Sequence, residues 1–262
     1  VVNFFTQAPV FGSISKALAG VTSKRRIPKF APHTFRHSFR HEKKVTANKP
    51  KVILWVDTFN NFFLPETLTA GVEVLEDAGF QVVIPPRILC CGRPLYDFGM
   101  LNTAKKMLLQ ILKTLRNEIR EGTPVVGLEP SCVAVFRDEL CDLLPNDEDA
   151  LRLKQQTFTL AEFLEKKTEN YKPPALKRKA IVHGHCHQKA IMKMKSEEKL
   201  LKAMKMDYSI LDSGCCGMAG YFGYEEGDHY DISIKAGERV LLPEVRNADS
   251  ETLVIADGFS CR

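Results

Sequence analysis

Two Cys-Cys-Gly triplets, Cys90-Cys91-Gly92 and Cys215-Cys216-Gly217, stand 125 positions apart in a chain of 262 residues. Neighbouring cysteines are poorly placed to bond to each other, and a glycine beside them permits a tight turn that aims both sulfurs at one point. A third cysteine follows each triplet, Cys132 in one case and Cys261 in the other, 129 positions apart. Two independent landmarks recurring at nearly the same interval argue for an internal duplication. The chain holds eight cysteines, Cys141 and Cys186 being the remaining two. With no secretory signal they read as metal or redox ligands in a reducing compartment, not as a disulfide framework.

The segments around the triplets repeat as well. Lys51–Val56 is an apolar, β-branched run that predicts a buried strand, followed by a helix over Pro65–Ala78 and a strand over Gln81–Ile84. Leu101, Ala104, Leu108, Ile111, Leu115 and Ile119 fall at helical spacing and predict one long helix to Gly122. The strand Pro124–Leu128 leads into Cys132. The order recurs with strands at Lys179–Val182, Tyr208–Leu211 and Thr252–Ala256, and a helix over Asp231–Leu241. Strands alternating with helices imply an α/β fold of two similar parallel-sheet halves, with ligands at the carboxyl ends of the strands. The expected divisions are an irregular basic arm (1–50), a first half (51–145), a connector (146–178, with a helix near Phe158–Glu165) and a second half (179–262).

The second half offers Cys186, Cys215, Cys216 and Cys261 on three successive strand-end loops. Four thiolates arriving from separate loops suit an iron–sulfur cluster or a tetrahedral zinc ion, and sequence cannot separate the two. The first half has Cys90, Cys91 and Cys132, but its first strand leads to Asp57-Thr58 where the second half has Cys186. A single complete site in the second half is therefore expected, with Cys141 too far along its helix to replace a ligand. His183, His185 and His187 alternate around Cys186, and in an extended segment they would share one face. His185 is the candidate among them for a functional role. Gly217–Gly223 is glycine-rich but lacks a dinucleotide fingerprint, and there is no P-loop or nucleophile elbow.

Charge is unevenly placed. Residues 1–50 carry ten Lys/Arg and one acid, whereas the rest carries 27 Lys/Arg and 31 Asp/Glu. A basic arm can bind nucleic acid, but Pro28, Phe30, Pro32, Phe35 and Phe39 look like packing anchors, so the arm reads as a tether and no nucleic-acid partner is expected. His33, His37 and His41 fall at i, i+4 and i+8, read as an arm helix docked on a missing domain. The start lacks an initiator Met and reads as an internal cut through a longer protein. No apolar stretch reaches transmembrane length, so the expected location is cytoplasmic, with peripheral contact at the inner face of the membrane as a variant.

These residues resemble the CCG cysteine-rich domain found in the heterodisulfide reductase B subunit, the anaerobic glycerol-3-phosphate dehydrogenase C subunit and the glycolate oxidase iron–sulfur subunit. HGHCHQKA, LDSGCCGMAGYFGYE and ADGFSCR are more similar still to the C-terminal part of FAD-linked oxidoreductases of the D-lactate and D-2-hydroxyglutarate dehydrogenase type, and IPKFAPHTFR to their joining segment. The resemblance covers most of the chain. It implies an electron-transfer module bearing an iron–sulfur cluster of the 4Fe-4S type, with FAD on an upstream flavin domain, a ferredoxin-like domain as a second partner and an unidentified acceptor. It also implies that the fragment alone is inactive, and places cluster-ligand roles on Cys90, Cys91, Cys132, Cys186, Cys215, Cys216 and Cys261. Two departures stand out: Glu129 and Gly258 occupy the earlier positions of the family's Cys-x-x-Cys pattern, and the first half lacks its leading cysteine.

Overall fold

The computed structural model describes residues 2–41, 49–169 and 171–262. The chain divides into two compact units, one of Val1–Pro32, Arg178–Cys186 and Asp207–Arg262, the other of His33–Lys177 and His187–Met206. The second of these carries the first Cys-Cys-Gly turn.

Its sheet is built from β1 (Lys51–Trp55), β2 (Gln81–Val83), β3 (Val125–Gly127) and β4 (Thr157–Thr159), all parallel, in the order β2-β1-β3-β4. Side chains alternate across a strand, and β1 uses both faces. Ile53 and Trp55 join one core with Leu108, Ile111 and Phe136, while Val52, Leu54 and Val56 join another with Leu68, Leu75 and Phe163. Both faces are thus covered, which is why the run KVILW reads as continuously apolar. β4 falls within the segment expected to be a connector. Its Phe158 pairs with Val126 as strand, and the expected helix begins only at Leu160, closed by a Thr159–Glu162 capping box. The long helix after the turn breaks into Leu101–Thr114 and Arg116–Arg120.

The other unit holds β5 (Lys179–His183), β6 (Asp207–Ile210) and β7 (Leu253–Ala256), parallel and ordered β6-β5-β7. In both sheets the first strand is central, the second flanks it on one side and the third on the other, so β6-β5-β7 repeats β2-β1-β3. The expected helix over Asp231–Leu241 is found as two, Asp228–Gly237 and Leu241–Asn247. Residues 187–206, expected within the second half, group instead with the first sheet. There Ser196 donates a 2.6 Å hydrogen bond to Glu165.

The arm is not irregular among its described residues. It is helical over Val2–Gln7, Pro9–Leu18 and Phe35–His41. The last helix docks on its own chain. Phe35 is buried with Val52 and Leu68, and Arg36 donates to the carbonyls of Pro85 and Arg87, in the loop leading to Cys90. His33 and His37 stack with centroids 5.6 Å apart; the side chain of His41 lies outside the described residues.

Burial differs between the sheets. β1 and β3 are buried almost throughout, whereas β6 and β7 are largely half-exposed. Protection against exchange follows burial and contact density. Amides of β6 and β7 are therefore expected to exchange faster than those of β1 and β3 when the metal-free protein is followed by hydrogen–deuterium exchange.

Candidate metal centres

The strands of each sheet deliver cysteines at their carboxyl ends. Cys132 lies five residues past the end of β3 and Cys261 five residues past the end of β7. Their amides donate the same local bond, Cys132 N–H to the Glu129 carbonyl and Cys261 N–H to the Gly258 carbonyl, each 3.0 Å. The two Cys-Cys-Gly turns match too. Gly92 and Gly217 both take positive φ, +80° and +92°, the region that favours glycine. Each glycine N–H points back to the first sulfur of its pair, Gly92 to Cys90 Sγ at 3.5 Å and Gly217 to Cys215 Sγ at 3.3 Å.

Three thiols consequently form a contact chain in each sheet. In the first, Cys90 hydrogen-bonds with Cys91, and Cys132 Sγ lies 3.0 Å from Cys91 Sγ. In the second, Cys215 hydrogen-bonds with Cys216, and Cys261 Sγ lies 3.5 Å from Cys216 Sγ. The expected contrast between an assembled second half and a degenerate first one is thus smaller than the cysteine count implies. Two sulfurs on one tetrahedral metal ion, with bonds of about 2.3 Å, lie about 3.8 Å apart. The Cys216–Cys261 spacing is close to that figure, and the Cys91–Cys132 pair has further to open.

The surroundings of Cys90, Cys91, Cys132 and Cys215 favour the protonated thiol, whose proton a cation must displace. The hydrogen bond to Cys91, then burial, raises Cys90 above the ordinary thiol range. Cys215 is raised in the same way by Cys216 and then by burial. Contact with Cys91 favours the Cys132 thiolate, but burial and the carboxylates of Asp57 and Glu129 outweigh it and the net shift is upward.

The positions flanking the sulfurs distinguish the halves. β1 and β5 are five residues each, so Trp55 and His183 occupy the same place at the strand end, and Thr58 and Cys186 each follow three residues later. Thr58 hydrogen-bonds to Cys90, an oxygen where the other half has a thiol. Asp57 is buried and caps the helix Thr58–Phe62 by accepting from Asn60 N–H at 2.9 Å. Burial raises its carboxyl above the usual range. Glu129 caps the helix Pro130–Arg137, accepting from Ser131 N–H at 3.1 Å and Ser131 Oγ at 2.8 Å.

In the second sheet His183 is buried, and it forms a close group with Cys216 and Cys261, all ligand atoms within 4.8 Å of one another. Cys186 is not part of that group; it is exposed, with its Sγ 3.9 Å from His185 Nδ1. The three histidines do not share an extended face, because β5 ends at His183 and the chain is helical by Cys186. The His185 ring instead packs over Gly258, where any Cβ would overlap its Cδ2 and stand 3.0 Å from its Nε2. A cysteine at position 258 would therefore require the His185 ring to move. Cys141 sits apart on the helix Glu139–Leu143, its Sγ 3.9 Å from the Ala150 carbonyl.

The arm braces the second turn. Arg25 donates to the Gly223 carbonyl at 2.7 Å and to Ser233 Oγ at 2.9 Å, and lies over the rings of Tyr224 and Tyr230. Thr22 N–H donates to the Tyr224 carbonyl at 2.8 Å. Sequence reading missed both arginine braces, since Arg25 and Arg36 carry no motif. No helix among the described residues is long and apolar enough to cross a membrane.

Comparison with known proteins gives a match over residues 57–137 to the family described as CCG, the cysteine-rich domain. The anaerobic glycerol-3-phosphate dehydrogenase C subunit of Escherichia coli is 27% identical over 268 residues, taking in the whole of this chain and 66% of that relative. This chain therefore spans just under two thirds of that relative's length. Lactate utilization protein A of Bacillus velezensis is 30% identical over 216 residues, 79% of this chain and 87% of the relative. The protein of the same name from Bacillus subtilis is 30% identical over 181 residues, 66% of this chain and 74% of the relative.

Proposed function

This chain belongs to the CCG cysteine-rich family, and on that premise we propose that it is the iron–sulfur electron-transfer module of a flavin-dependent 2-hydroxy-acid dehydrogenase. The observation that carries the reading is the repeated strand-end chain of three thiols, Cys90-Cys91-Cys132 and Cys215-Cys216-Cys261. The names of the relatives, a dehydrogenase subunit and lactate utilization proteins, support an oxidoreductase role. Cys186, Cys215, Cys216 and Cys261 hold the cluster, of 4Fe-4S type, which supplies one-electron storage when bound. Cys90, Cys91 and Cys132 form a related site with Thr58 at the position of the fourth thiol. The chain's own work is to hold and tune. Gly217 N–H donates to the Cys215 sulfur, and hydrogen bonds to ligating sulfur set the potential. FAD belongs to an upstream flavin domain, joined by a ferredoxin-like one, in the cytoplasm or at the inner face of the membrane. The isolated chain has no hydroxy-acid activity.

A zinc site is the second reading. The tight group of His183, Cys216 and Cys261 favours it, because one ion draws its ligands to a point, whereas a cluster offers a separate iron to each thiolate. Anaerobic purification with iron, sulfide and zinc analysis separates the two; stoichiometric zinc without sulfide removes the cluster reading. The loss of the first half's leading ligand is tested by Thr58→Cys. That variant is expected to raise bound iron and sulfide per chain on reconstitution, and unchanged content would show that the hydroxyl is not what limits the site.

A further inference from the structure

We propose that His183 is itself a metal ligand, taking the place of the exposed Cys186 in the four-cysteine set given above, so that the second centre is a mixed nitrogen–sulfur site and not an all-thiolate one. Three observations carry this. His183 is buried at 2% exposure, at the end of the central strand. It stands within 4.8 Å of both Cys216 and Cys261 at the ligand atoms, and those sulfurs are spaced close to what one metal requires. Its Nδ1 shares a 2.6 Å hydrogen bond with Ser213 Oγ, and Ser213 is buried too. A ligating histidine is characteristically held through its other ring nitrogen by such a partner. With Nδ1 engaged, Nε2 is the nitrogen left to bind.

The first half shows the same position put to a different use. Trp55 stands where His183 does, fully buried, with an indole N–H that lacks a well-formed hydrogen bond and lies beside Cys132, whose thiolate it favours. An indole N–H donates and has no lone pair for a metal. The two halves thus present sulfur with a donor in one and with a nitrogen ligand in the other. His185, singled out by sequence beside Cys186, is packed against Gly258 and stays outside the His183–Cys216–Cys261 group.

This inference rests on metal binding in the second half, and its test can fail separately from the iron–sulfur reading. The 262-residue chain, labelled with ¹⁵N-histidine, is loaded anaerobically either with ferrous iron and sulfide or with Co(II) alone, and pulsed electron paramagnetic resonance reads nitrogen coupling. The expected result is a directly coupled imidazole nitrogen that disappears in His183→Cys while metal content is retained. Ser213→Ala, a positioning variant, is expected to weaken Co(II) binding about tenfold while keeping the coupling. Iron and sulfide bound without nitrogen coupling would overturn the inference and leave the electron-transfer reading standing. Co(II) bound with coupling, but no uptake of iron and sulfide, would do the reverse. Coupling that persists in His183→Cys would assign the nitrogen elsewhere and overturn it. Thermal melting of the metal-free variants guards against misfolding, and His183→Gln, which keeps a polar side chain but a far weaker ligand, must also lose the coupling.

Discussion

A Gly217→Ala chain is expected to lose more than about 4 kcal/mol of stability in the unit that carries the second turn, while Gly92→Ala loses about 1–2 kcal/mol. Both glycines are left-handed and close equivalent turns, so backbone strain alone would make the two substitutions alike. The surroundings separate them. A Cβ on Gly217 would overlap the main-chain carbonyl oxygen of Ser233 and lie 2.9 Å from its carbon. That carbonyl belongs to the helix Asp228–Gly237 and cannot rotate away as a side chain would. A Cβ on Gly92 meets nothing closer than 3.7 Å, at Ala104, Leu95 and Met107, so only the torsional term remains. Urea unfolding followed by exchange at β5 for Gly217→Ala, and by Trp55 fluorescence for Gly92→Ala, measures each unit. Equal losses would mean that the close approach of Ser233 contributes nothing.

Cys216→Ser should remove most of the bound iron and sulfide, while Cys91→Ser leaves most of it in place. Cys216 is the middle member of its thiol chain, hydrogen-bonded with Cys215 and 3.5 Å from Cys261, so a weaker oxygen donor there breaks the set at its centre. Cys91 is equally central in its own chain, but that chain lacks a fourth sulfur and is more tightly closed. Metal analysis of the two variants beside wild type decides the matter. Comparable depletion in both would make the two halves equal partners.

Much of this architecture was legible because strand and turn signals are local. KVILW and KAIVH declare buried strands by composition, and the paired cysteine turns declare the duplication by spacing. β4 was missed since Thr157–Thr159 is three residues between two helices, too short for any period to register. The break at Leu115 was invisible for the opposite reason. Ile111, Leu115 and Ile119 keep their helical spacing and burial on both sides of it, so hydrophobic pattern cannot sense a single non-helical residue. In the arm Phe35 was legible as a packing anchor and is buried, whereas Arg36, buried beside it, carries no signal that separates it from the exposed cations. The choice among the three histidines depended on where β5 stops, and a two-residue shift along the chain exchanges the ring grouped with Cys216 and Cys261 for one packed over Gly258.

The unequal burial of the thiols also governs how the protein ages in air. Cys91 and Cys132 are only 3% and 6% exposed, whereas Cys186 and Cys215 are open to solvent. Peroxide and alkylating reagents reach a sulfur only through its accessible surface. Damage should accordingly begin at the second turn and the loop after β5, long before the inner pair is touched. The useful lifetime of a preparation is then set by two exposed side chains, and the order in which peptides acquire oxygen or label is a clock that mass spectrometry can read.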